Sequence, residues 1–168
     1  MLPNLLLSFS DWNPQFFREV KGRLKNRNLT LTVLSSFLLQ FALLFYFWAA
    51  LPAPKVTPSS RYCTGKAIYT YWHDCVLDAQ GNVLVNWQIW WTDLFQALTW
   101  ILPFILLIAG VYLLISDLAK EEQRGTLNFI RLSPQASQTI LLGKLLGVPL
   151  LVYLGVLLAV PLHLWLAV

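Results

Sequence analysis

This chain has little charge. Asp, Glu, Lys and Arg make up 12% of its 168 residues, about half the share in soluble domains, which excludes an ordinary water-facing surface. Three stretches, 29–51, 94–116 and 145–168, carry none of the four. Each exceeds the roughly 20 residues a helix needs to cross hydrocarbon. Only two cysteines are present, too few for a disulfide-rich secreted scaffold. No G-x-x-x-x-G-K-[ST] occurs, so the chain has no phosphate-cradling loop of its own. No span holds paired Asp, a His-Glu-x-x-His or a Ser-His pair, which excludes an intramembrane enzyme. The first ten residues lack a basic start and a small-x-small site, and do not read as a signal peptide.

What is present is apolar: 57% hydrophobic and 14% aromatic, with eight tryptophans. The composition predicts an all-α integral membrane protein. Its expected parts are a cytoplasmic amphipathic interface helix (1–28), spans at 29–51, 94–116 and 145–168, an extracytoplasmic loop (52–93) and a cytoplasmic loop (117–144). Basic residues set the orientation. Arg18, Lys21, Arg23, Lys25 and Arg27 precede the first span, and Lys120, Arg124, Arg131 and Lys144 lie in the second loop. Against these nine the first loop has three, Lys55, Arg61 and Lys66, so the N-terminus and second loop are expected inside. The balance of +4 reads as orienting charge, with no nucleic acid as partner.

Cys63 and Cys75 both fall in the outside loop, where an oxidising compartment favours a disulfide. A metal site with His73 and Asp74, which matches no zinc spacing, and free thiols are the other readings. The loop opens with prolines, turns at "DAQGN" and has room for a hairpin around the cysteines. Trp87, Trp90 and Trp91 lead into the second span and fit an aromatic belt, with substrate stacking as the alternative. Gln40 reads as interhelix glue, and Gly143 with Gly147 as a small-xxx-small pair for close helix approach. His163 is a functional candidate by its depth, or a structural residue reaching the outer interface beside Trp165. Pro103, Pro149 and Pro161 are kink positions.

Ahead of the first span, Asn13 reads as an N-cap and Pro14 as the first helical position. Phe16, Phe17, Val20 and Leu24 share one side of that helix, with Arg18, Lys21 and Lys25 on others. It fits the membrane surface, with membrane lipid as its partner; docking on another protein is the other reading. In the inside loop, Ser116 or Asp117 is expected to cap a short charged helix ended by Gly125. Thr126 starts a short apolar helix, and Ser133 and Pro134 open a third that re-enters the membrane. This apolar knob fits a groove in a partner, or is an elbow lying on lipid.

The stretch "EEQRGTLNFIRLSPQASQTILLGKLLG" resembles the permease signature of the type-2 ABC exporter superfamily. The matching residues are Glu121, Glu122, Arg124, Gly125, Thr126, Leu127, Pro134, Leu142, Gly143 and Lys144. "NPQFFREVKGRL" is similar to the Asn-Pro…Arg-Glu helix of the same permeases at Asn13, Pro14, Arg18 and Glu19. The resemblance implies a permease subunit, or its N-terminal half, in the plasma membrane (in bacteria, the inner membrane). The chain itself would bind no cofactor or metal, and ATP and Mg would sit on a cytoplasmic ABC ATPase partner. Leu127, Phe129 and Ile130 would touch that ATPase, with Arg124 and the glutamates Glu121 and Glu122 setting the electrostatic fit. Such permeases carry six spans, so a second permease half or a dimer partner is expected to supply the rest. The competing reading is a small structural or assembly subunit of a larger membrane complex.

Overall fold

The computed structural model describes residues 13–53, 58–125 and 136–167. These are mostly helical, in the order α1 (Pro14–Arg23), α2 (Asn26–Ala49), β1 (Ser59–Ser60), β2 (Ala67–Tyr69), β3 (Trp72–Asp74), α3 (Trp87–Gln123), α4 (Ser137–Gly147) and α5 (Leu150–Leu166). Two helices, α2 and α3, are long and apolar enough to cross a membrane, and α4 with α5 makes a third span if that bent pair is counted as one. Their outward sides carry large apolar residues such as Leu38, Phe41 and Phe45 on α2 and Leu107, Ile108 and Ile115 on α3. Such faces suit lipid.

The second span differs from the expected 94–116. Asn86 accepts a hydrogen bond from the Ile89 amide (3.3 Å), and α3 then runs 37 residues without interruption, through Pro103. Ser116 and Asp117 lie inside it and cap no separate helix, because Leu118 to Gln123 contain no breaker and are good helix formers. Gly125 ends the run, adopting φ +69°, a left-handed conformation that glycine accepts at little cost. At about 55 Å, α3 exceeds the roughly 30 Å of hydrocarbon. Its charged ends therefore have room outside the apolar layer.

The α4–α5 pair is broken where proline predicts. Pro149 has no N–H to give the Leu145 carbonyl, and α4 and α5 meet there at 48°. The Tyr153 hydroxyl donates to that same carbonyl instead (3.1 Å). The re-entry helix begins at Ser137 with Ala136 at its N-cap position, making no side-chain cap; Ser133 and Pro134 lie outside the described residues. Two compact units emerge from these elements. In the first (1–36 and 102–159) α1 packs against α4. There the Ser36 hydroxyl also donates to the Gly155 carbonyl (2.8 Å), joining α2 to α5.

The second unit (37–101 and 160–168) has a core of Phe47, Tyr62, Trp90 and Leu94. Trp90 is buried and donates its indole N–H to the Phe47 carbonyl (2.8 Å). It is thus a core residue, not part of a belt. Trp91 meets Trp165 edge-on, and Trp87 remains exposed. The all-α expectation also gives way here, since the loop holds a three-stranded antiparallel sheet ordered β1–β3–β2. Ser59 pairs with Asp74, and Tyr69 with Trp72. Cys63 and Cys75 are bonded, with Cα atoms 4.8 Å apart. Their sulfurs are thereby consumed, which removes the metal and free-thiol readings. The "DAQGN" turn is closed by the Asp78 carboxylate, which accepts from the Gln80 and Asn82 amides.

Two outcomes follow for this unit. Reducing the bond, or replacing both cysteines by serine, should lower its stability by about 2–4 kcal/mol; melting in detergent with and without reductant measures it. Burial, reinforced by the negative charge of Asp93, holds the Tyr62 phenol above its ordinary value. The folded state therefore keeps that proton longer than the unfolded chain, and stability falls as pH rises past about 10. Tyr62→Phe should flatten this alkaline loss in a pH series of melts.

Candidate functional site

The residues that carry the resemblance gather in the first unit. Asn13 starts α1 with both ends of its amide in use: Oδ1 accepts from the Phe16 amide (3.0 Å), while Nδ2 donates to the Thr139 carbonyl (2.8 Å). The N-cap is thus also a clasp onto α4. α1 then crosses α4 at its two small residues. A Cβ on Gly143 would lie 2.9 Å from both Asn13 Oδ1 and the Phe16 nitrogen, and one on Gly147 would lie 2.6 Å from Glu19 Cβ. Glycine is what lets the two backbones come this close.

This arrangement decides how the interface helix is held. Asn13, Gln15 and Val20 are buried, and the side facing α4 includes polar Asn13, Gln15 and Glu19. The helix is docked on protein along that side. Leu24, expected on the apolar face, is exposed.

Beside the crossing lies a balanced cluster of three acids and three bases. Lys144, only 5% exposed, places Nζ 2.7 Å from Asp117 Oδ2, 2.7 Å from Glu121 Oε2 and 3.8 Å from Glu19 Oε1. Arg18 reaches Glu121 at 3.2 Å. Arg23 reaches Asp117 at 2.8 Å and Glu19 at 3.4 Å. Glu19, Asp117 and Glu121 are close enough together to hold a metal ion, but the lysine ammonium sits among them as their cation. A buried ammonium is tolerable only with such full pairing.

The expected coupling residues divide accordingly. Glu121 turns toward Lys144 and Arg18, while Glu122 and Arg124 are exposed at the end of α3 and Gly125 forms the turn. Thr126, Leu127, Phe129, Ile130 and Pro134 lie outside the described residues. Elsewhere, Gln40 is buried within the helices. His163 stacks flat on Phe95, with ring centroids 4.6 Å apart, and its Nδ1 is buried without a partner among the described residues.

Sequence reasoning missed Asp117 and Arg23 as members of the cluster. The signal was there: Asp117 and Glu121 are four apart, as are Glu19 and Arg23, so each pair shares a helix face. No family model, curated protein or solved structure matches the chain.

Two substitutions test this junction. Gly147→Ala should lever α1 off α4 and speed tryptic cleavage at Arg18, Lys21 and Arg23, followed by mass spectrometry. Lys144→Met leaves three carboxylates against two arginines and should cost on the order of 3 kcal/mol. Adding Glu121→Gln should recover part of that loss in a double-mutant cycle. A single-mutant loss no larger than that of exposed Lys120→Met would show that the cluster contributes little.

Proposed function

We propose that the chain is a permease subunit, or the N-terminal half of one, of an ATP-driven exporter resembling the type-2 ABC superfamily. The observation that most supports this reading is where the two resembling segments meet. Asn13–Glu19 and Glu121–Lys144 are about a hundred residues apart in sequence, yet they form one clasp and one ion-pair cluster. Two motifs that share a single structural job are less readily ascribed to chance than two isolated matches.

On this reading the loop between α3 and α4 is the contact with a separate cytoplasmic ATPase, which holds the ATP and Mg. Leu127, Phe129 and Ile130 enter the ATPase cleft, with Glu122 and Arg124 on the rim. Glu121 and Lys144 tie the two roots of the loop together and to α1. A displacement of the loop then moves α1, the inner end of α3 and α4 as one body rather than bending a free hairpin. The nine inside and three outside basic residues put the N-terminus and this loop in the cytoplasm, and the disulfide-bonded loop outside. A second permease half or a partner permease completes the pathway.

Purification from the native membrane in mild detergent, with mass spectrometry of co-purifying proteins, tests the proposal. Recovery of an ABC ATPase is expected, and its loss when Leu127, Phe129 and Ile130 are made polar. Glu122→Lys with Phe129→Ala should uncouple transport while the ion-pair cluster and the melting temperature are retained. A large complex recovered without an ATPase would instead identify a structural subunit.

A further inference from the structure

The second unit contains a cleft of about 370 Å³ between the small sheet and the first turns of α3. That volume lies within the range of small-ligand sites, roughly 300–1,000 Å³. Arg61, Tyr71, His73, Gln88, Asp93 and Gln96 line it, and the proposed coupling role uses none of them.

The chemistry of the wall narrows the ligand. Arg61 and Asp93 are paired at 2.6 Å, so the fixed charges cancel and no free ion is favoured. Hydrogen-bonding capacity remains, however. Arg61 Nε and His73 Nδ1 are enclosed and have no partner among the described residues, while the Arg61 side chain as a whole is 43% exposed and carries further N–H donors. Gln88 and Gln96 add two amides on one face of α3, two turns apart and both exposed. Each amide offers a donor and an acceptor. Tyr71 adds an exposed aromatic ring with the Arg61 guanidinium over one face, its carbon 5.3 Å from the ring centroid.

A neutral wall that both donates and accepts, with one flat apolar face, matches a ligand rich in hydroxyls and carrying an apolar C–H face. We propose that this cleft binds a glycosyl group, a neutral polyhydroxylated ring stacked on the face of Tyr71 that Arg61 leaves open and hydrogen-bonded by Arg61, His73, Gln88 and Gln96. Asp93 keeps the guanidinium in place, and α3 fixes the spacing of the amides. The site does not depend on the transport reading, since it lies wholly within the second unit.

The test uses the full chain in a detergent without a sugar headgroup, with the disulfide verified by non-reducing peptide mapping. Methyl glucopyranoside, N-acetylglucosamine and maltose are titrated by saturation-transfer NMR, beside inorganic phosphate and phosphoethanolamine. Saturable binding of at least one sugar is expected. It should weaken at least about tenfold in Gln88→Ala/Gln96→Ala and in Tyr71→Ala, because a site built on hydrogen bonds discriminates strongly against their loss. Gln80→Ala, in the exposed turn, should leave binding unchanged. The proposal is overturned if no sugar saturates the protein, or if the cleft variants bind sugar as well as the parent. Preference for phosphate or phosphoethanolamine would also overturn it, making the cleft an ionic or lipid-headgroup site. None of these outcomes bears on ATPase recovery, so the two readings fail separately.

Discussion

An ammonium ion held away from water is the constraint around which the first unit is organised. Lys144 is almost fully buried, directly before one of the three long charge-free stretches of the chain. Its position is tenable because Asp117 and Glu121 come from one helix and Glu19 from another, each presenting a carboxylate oxygen to it. Arg18 and Arg23 then balance the surplus negative charge. Each of these groups has at least two partners of opposite charge, so removing one leaves the rest with a net charge, and α1, α3 and α4 are bound into a single electrostatic assembly. The glycines at 143 and 147 are the steric half of the same arrangement, because the carboxylate of Glu19 reaches Lys144 only if α1 lies close against α4.

The second unit uses different physics. Its core is aromatic, and the Trp90 indole ties α3 to the carbonyl of Phe47 near the end of α2. The disulfide and the small sheet hold the connecting loop in a defined form. A loop ordered in this way can present a wall of polar groups with fixed spacing, which an extended Pro-rich connection could not.

Much of this was legible in the sequence. Charge-free runs marked the long helices, Asn13–Pro14 marked the start of α1, and two cysteines in one loop marked the bond. Gly143 and Gly147 announced a close approach, although their spacing could not say that α1 is what approaches. What stayed hidden depended on three dimensions. The extent of α3 was obscured because Trp87 to Asp93 resemble an interface loop and Asp117 resembles a cap. In the folded chain Asn86 supplies the start, and Asp117 is spent on Lys144 and Arg23. Pairings across a hundred residues leave only a local trace, here the four-residue spacing of acids on one face. The fold class was therefore nearer the surface of the sequence than the site was.

The break at Pro149 has a mechanical meaning. Proline kinks are often pictured as loose hinges, but the carbonyl that Pro149 leaves bare is claimed by the Tyr153 hydroxyl one turn further on. Unbending the joint does not restore the missing amide, and a movement that draws Tyr153 away breaks the hydrogen bond that replaces it. The joint thus behaves as a bracket with a preferred angle. A displacement at the Lys144 end of α4 has to break that bond before the corner can open.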